Sequence, residues 1–220
     1  MRIVAISDTH NKQEQLTLPA GDLLIIAGDL TGAGTIKEVA KYGQWLAREV
    51  KKYTYGAVVG AGNHDFLFEE APMIAEQLLN PENNPQIRYL QNTFVVINGF
   101  KIYVSADTNF FHNWAFNLMP AEMEISVQRI PPDTDILVTH GPPLTVLDRC
   151  QNGKYIGSEE LLSKVKEIKP LFHIFGHNHN QGGCFFHSDD TIFVNASMLN
   201  EYYQPNDYIL DGHVTAFEVL

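Results

Sequence analysis

The sequence predicts an α/β fold with mixed sheets, and three observations carry that reading. Short apolar runs recur along the 220 residues, amphipathic helical patterns fall between several of them, and an Asn-Gly dipeptide joins two strand-like segments near the middle. The apolar runs cover residues 3–6, 23–27, 57–60, 136–138 and 171–175, each bounded by turn residues and short enough to be a buried strand. After the second run, Thr35 and Glu38 form a capping-box pattern, and Ile36, Val39, Ala40, Trp45, Leu46 and Val50 share roughly one helical face. In the middle, residues 93–97 and 100–105 flank Asn98-Gly99, which suits a two-residue hairpin turn and brings in antiparallel pairing. A second helix is expected from Ser158 as N-cap, with Leu161, Leu162, Val165 and Ile168 as its apolar stripe and Pro170 beyond its end. Residues 191–195 and 214–219 read as two further strands.

Composition agrees with a folded domain, since 45% of residues are hydrophobic and 19% charged. No internal repeat interrupts the chain, and the proline-bearing stretches 81–85 and 131–132 read as loops, so residues 1–220 are expected to form a single domain. A net charge of −11, from 26 acidic and 15 basic residues, argues against an extended nucleic-acid interface or an anionic membrane surface and favours a small substrate. No stretch approaches the roughly 20 apolar residues of a membrane span, and the start lacks the apolar segment of a signal peptide, so a cytoplasmic location is the default expectation. Cys150 and Cys184 are too few for a disulfide framework and read as ordinary thiols.

Each of the five apolar runs is followed by residues that bind metals or move protons: Asp8 and His10, then Asp29, then Asn63 and His64, then His140, then His177 and His179. Loops beyond the carboxyl ends of strands line the crevice of an open α/β sheet, so these residues can converge on one point. Within Asp8-Thr9-His10 and His177-Asn178-His179, residues two apart in an extended chain face the same side. Imidazole, carboxylate and amide oxygen without thiolate suit manganese, iron or zinc. Seven potential ligands are too many for a four-coordinate structural zinc, and a shared Asp29 would serve two ions. Singly, each feature has a simpler reading, because Asp8 or Asp29 could cap a helix. His173 lies inside an apolar run and reads as a core residue, while His187 and His213 sit near turns.

The ordered blocks Asp8-Thr9-His10, Gly28-Asp29, Gly62-Asn63-His64-Asp65, Thr139-His140 and Gly176-His177-Asn178-His179 resemble those of the calcineurin-like metallophosphoesterase superfamily. Val138-Thr139-His140-Gly141-Pro142-Pro143, Trp114-Ala115-Phe116-Asn117 and Asn195-Ala196-Ser197 are similar to its small metallophosphoesterase-domain-containing branch. The resemblance implies a four-layer α/β/β/α sandwich of two mixed sheets and a site for two divalent ions. It assigns Asp8, His10 and His179 to one ion and Asn63, His140 and His177 to the other, with Asp29 bridging. His64 would be the non-ligand histidine that protonates the leaving oxygen, with Asp65 or another carboxylate orienting its ring.

Two neighbouring ions lower the pKa of water and stabilise charge in an in-line displacement at phosphorus. Asp29 is followed by Leu30-Thr31-Gly32, not the Asp-Arg-Gly of protein serine/threonine phosphatases, which turns the expectation toward small phosphodiesters, cyclic nucleotides among them. Arg149 and Lys154 are candidate phosphate contacts, and Phe110, His112 and Trp114 candidate stacking partners. A metal-binding scaffold without activity is disfavoured because every ligand position is filled, and a nuclease because the chain is compact and acidic.

Overall fold

The computed structural model describes residues 1–206 and 215–219. From the N-terminus its strands are β1 (Arg2–Ile6), β2 (Leu23–Ala27), β3 (Ala57–Gly60), β4 (Ile87–Tyr89), β5 (Thr93–Ile97) and β6 (Phe100–Ser105). There follow the short pair β7 (Thr108–Asn109) and β8 (Asn117–Leu118), then β9 (Ile136–Thr139), β10 (Phe172–Phe175), β11 (Phe185–His187), β12 (Ile192–Asn195) and β13 (Ala216–Glu218). The helices are α1 (Ile36–Glu49), α2 (Phe66–Glu70), α3 (Pro72–Leu79), α4 (Pro120–Val127) and α5 (Glu159–Ile168).

One sheet has the order β13-β1-β2-β3-β4, parallel except for β13. The other has the order β11-β12-β10-β9-β6-β5, parallel through its centre and antiparallel at both edges. Period-2 alternation divides the side chains among three apolar layers. Ile3, Ala5, Leu23 and Ile25 of the first sheet meet Ile102, Val104, Ile136, Val138 and Ile174 of the second. Their neighbours Val4, Ile6, Leu24 and Ile26 face Val39, Tyr42, Trp45 and Leu46 of α1 and Phe68 of α2. On the far side, Tyr103, Leu137, Phe175 and Phe193 pack against Met123 and Val127 of α4 and Leu161 and Val165 of α5. The result is the expected four-layer arrangement, helices outside two mixed sheets.

Local signals explain where several elements begin and stop. Thr35 Oγ1 accepts from Glu38 N at 3.3 Å and Glu38 Oε2 accepts from Thr35 N at 2.8 Å, the reciprocal capping box that opens α1. Ser158 Oγ accepts from Leu161 N at 3.0 Å at the start of α5, which ends at Lys169 in a left-handed conformation just before Pro170. Asn98 and Gly99 both have positive φ, 51° and 85°, as a primed hairpin turn between β5 and β6 requires. The expected strand 214–219 begins at a residue outside those described, and within them it spans Ala216–Glu218; His213 likewise lies outside the described residues. No helix among the described residues is long and apolar enough to cross a membrane.

Candidate metal centre

Parallel strands place their carboxyl ends at one edge of each sheet, and the two edges adjoin. Asp8 follows β1, Asp29 follows β2, Asn63 and His64 follow β3, His140 follows β9, and His177 follows β10. The backbone turns sharply there. Asp8, His10, Asp29 and His177 have φ of 54°, 39°, 52° and 64°, a left-handed region that non-glycine residues seldom occupy and that clusters at functional sites. Gly176 is required by crowding, since a Cβ there would collide with the Asp8 carboxylate and the Ser7 hydroxyl.

Three groups of side chains bring potential ligand atoms within 4.8 Å of one another: Asp8, His10 and His179; His10, Asp29 and His64; Asp29, His140 and His177. Asp29 Oδ2 lies 3.5 Å from His10 Nε2 and 3.3 Å from His140 Nε2, so one buried carboxylate reaches both sides of the centre. His140 Nε2 is also 3.0 Å from Asn63 Oδ1. Asp8 is divided in its contacts. Its Oδ2 accepts from His177 N at 2.9 Å and from Ser197 Oγ at 2.6 Å, whereas its buried Oδ1 has no hydrogen bond and faces His179 Nε2 at 3.3 Å.

The ring nitrogens turned away from the centre are fixed by backbone carbonyls. Nδ1 of His10 donates to Thr31 O at 3.2 Å, Nδ1 of His140 to Ala27 O at 2.9 Å, and Nδ1 of His179 to Asn200 O at 3.0 Å. A carbonyl can only accept, so each neutral ring keeps its proton on Nδ1 and aims the Nε2 lone pair inward, the arrangement usual for metal-binding histidines. Inward lone pairs beside an orphaned carboxylate oxygen, with no thiolate in the groups, fit divalent ions of the manganese, iron and zinc type.

The charges of the centre reinforce one another. Burial opposes ionisation of Asp29 and Asp8, but the adjoining histidines hold both carboxyls well below their ordinary range. Burial likewise works against charge on His140, yet the Asp29 carboxylate raises that ring to about 9. His10 and His177 go the other way, pushed by burial down to about 4.

His64 is half-buried beside this cluster. Its backbone N–H donates to Asp29 Oδ1 at 2.8 Å, its Nδ1 donates to Gly32 O at 2.7 Å, and its ring stacks on Trp114 with centroids 4.2 Å apart. The expectation that Asp65 orients this ring is corrected by these contacts. Asp65 is fully buried and accepts from Gly62 N at 2.9 Å, Leu30 N at 3.1 Å, Thr31 N at 3.0 Å and Thr31 Oγ1 at 2.6 Å. It ties the loop after β2 to the loop after β3, so it acts on the shape of the centre and not on the His64 ring.

A cavity of about 430 Å³ opens over the centre, walled by His64, Phe111, Trp114 and Tyr203 among others. Two expected substrate contacts are absent from its wall. Arg149 is exposed and its backbone pairs with Tyr155, while His112 is exposed and packs edge-on against Phe111 at 4.2 Å. Phe111 takes the place expected of His112. Two residues were given no role in the site from the sequence: Ser197, which grips Asp8, and Tyr203, whose ring stands 4.8 Å from that of His10 and 5.3 Å from that of His179. Ser197 lies two residues beyond the end of the apolar strand β12, a signal that could have found it; Tyr203 sits in an irregular stretch with none.

Comparison with known proteins agrees with this architecture. The chain is 36% identical over 225 residues to metallophosphoesterase domain-containing protein 1 of Homo sapiens, covering 93% of this chain and 68% of that protein. It is 34% identical over 215 residues to a UPF0046 protein of Caenorhabditis elegans, covering 91% and 71%. Among solved structures, phosphopantetheinyl hydrolase (PptH) from Mycobacterium tuberculosis superposes with a TM-score of 0.58 at 15% identity, over 91% of this chain and 90% of that one, a likeness of fold. The family model for calcineurin-like phosphoesterases matches residues 1–181, the span that carries all the converging histidines and carboxylates, and the chain belongs to that family.

Proposed function

We propose that this protein is a metal-dependent phosphodiesterase acting on small phosphodiesters, cyclic nucleotides among them. The observation that carries the reading is the position of Asp29, whose Oδ2 lies 3.5 Å from His10 Nε2 and 3.3 Å from His140 Nε2 between two sets of inward-facing donors. Asp8, His10 and His179 would hold one divalent ion, Asn63, His140 and His177 the other, with Asp29 common to both. When bound, such a pair supplies the positive charge that acidifies water and draws phosphate oxygens into place.

The protein's own groups then divide the remaining work. Gly32 fixes the His64 ring with its Nδ1 proton engaged, leaving Nε2 to carry a proton to a departing alkoxide, while Trp114 holds the ring by stacking. A diester is favoured over a monoester because no Lys or Arg among the described residues lines the cavity over the centre. A monoester dianion presents more charge than such a wall can balance, whereas a diester carries a single negative charge and two organic arms, the departing one of which Trp114 and Tyr203 can cover.

The test is hydrolysis of bis-p-nitrophenyl phosphate, p-nitrophenyl phosphate and a cyclic nucleotide by metal-stripped protein, with manganese, iron(II), zinc or magnesium restored singly. Metal-restored diesterase activity exceeding monoesterase activity is the expected result. Folded protein that binds two ions and cleaves no diester would overturn it.

A further inference from the structure

A second cavity, of about 490 Å³, adjoins the one over the metal centre, and Phe111, Cys150 and His177 belong to the walls of both. Its wall is largely apolar, built from Phe110, Met123, Tyr155, Ile156 and Leu161. The polar residues on it are committed elsewhere. Asp107 accepts from Asn92 Nδ2 and Ser126 Oγ, and Asn109 Nδ2 donates to Ile156 O at 3.3 Å. Ser158 Oγ accepts from Leu161 N at 3.0 Å and donates to Glu160 Oε2 at 2.8 Å. Lys154 has a side chain without hydrogen-bond or ion-pair partner among the described residues, but it is exposed and its charge stays in water. A polar guest therefore gains few hydrogen bonds inside, whereas an apolar guest gains burial.

The position of His64 assigns the guest. His64 lines the first cavity and is absent from the wall of the second, while His177 lines both. An ester oxygen leaving with the His64 proton departs beside Trp114 and Tyr203, so the arm that remains on phosphorus lies toward His177 and the second cavity. We propose that the second cavity is a specificity subsite that binds the retained ester arm and selects phosphodiesters in which that arm is a bulky alkyl or aryl group. This inference rests on the phosphodiesterase reading.

It is tested with metal-reconstituted protein and three p-nitrophenyl diesters whose second arm is methyl, n-butyl or cyclohexylmethyl. All three share the leaving group, and primary alkyl arms differ little in their electronic effect, so the series reads contact with the arm. The ratio of kcat/KM for the cyclohexylmethyl diester to that for the methyl diester is expected to be about tenfold or more, chiefly through KM, as for an apolar group seated in an apolar pocket. Ile156→Trp and Asn109→Trp fill the cavity and are expected to bring this ratio toward one. Phe110→Ala, which removes an exposed side chain from the same wall, gives a smaller fall in the ratio and serves where a tryptophan is not accommodated. Activity independent of the arm, or a ratio unchanged in every folded variant, overturns the subsite and leaves the phosphodiesterase reading intact. Failure to cleave any of the three diesters with any metal overturns both.

Discussion

The Nε2 atoms of His10 and His179 lie 3.2 Å apart, although each ring already donates its Nδ1 proton to a backbone carbonyl. Two nitrogen lone pairs at that distance need a cation between or beside them, either a shared proton or a metal ion. With Asp29 raising His140 to about 9, the metal-free centre holds protons at neutral pH, and ions must displace them. Binding of manganese or zinc at pH 7 is therefore expected to release protons, and affinity to strengthen as pH rises toward 9. Calorimetric titration in buffers of different ionisation enthalpy measures the number released; a value of zero would contradict the arrangement. Asp29→Asn is expected to lower occupancy on both sides of the centre together, from two ions per chain, as read by elemental analysis.

His64 has a distinct expected phenotype because its Nδ1 is engaged by Gly32 and its ring face by Trp114, while it meets the cluster only edge-on, against the His10 ring at 4.6 Å. His64→Ala is expected to retain both ions and lose about 10²–10⁴-fold in kcat, the range for removing a general acid. The loss should be greater for a phenyl leaving group than for p-nitrophenyl, since the poorer leaving group depends more on protonation. Metal loss equal to that of Asp29→Asn would instead make His64 a ligand, which its presence in one cluster with His10 and Asp29 makes the natural competing result.

Asp65 should behave as a structural residue. Removing its carboxylate strands the N–H groups of Gly62, Leu30 and Thr31, and an unpaired buried donor costs about 1–3 kcal/mol. Asp65→Ala is thus expected to destabilise the fold by about 3 kcal/mol or more, and Asp65→Asn by less. Urea unfolding of the metal-free variants measures this. An Asp65→Asn variant of unchanged stability but lowered kcat would restore a role in orienting His64.

The difference between Asp65 and its neighbours shows what a sequence can disclose. Asp8, Asp29, Asn63, His140 and His177 were legible because each follows an apolar run, and parallel strands bring such positions to one edge whatever the loops do. The part Asp65 plays depends on which N–H groups surround it, and adjacency to His64 in the chain carries no information about that. Trp114 was expected as a stacking partner and does line the cavity, whereas Phe111 and Tyr203 reach it from irregular segments whose course is set by tertiary packing. Among the helices, α3 and α4 have only eight residues each, too few for a clear periodic stripe, yet both open on proline, at Pro72 and Pro120, and that signal was available.

His173 offers a stability prediction remote from the metal centre. It is fully buried on β10 between the rings of Phe175 and Phe193. Thr139 Oγ1 donates to Gly141 O at 2.7 Å and so accepts from His173 Nε2 at 2.9 Å, which leaves Nδ1 unprotonated and without a partner. Burial holds the pKa down at about 3, against an ordinary value of 6.5. The unfolded chain therefore binds a proton that the folded chain refuses between these values, and stability falls as pH drops below 6.5, levelling only near 3. Between pH 7 and pH 5 this one ring should remove about 2 kcal/mol. Urea unfolding of metal-free protein at both pH values, compared with His173→Gln, isolates the effect: the variant is less stable at pH 7 but should lose about 2 kcal/mol less on acidification. Equal losses in the two proteins would mean that the ring accepts its proton without unfolding.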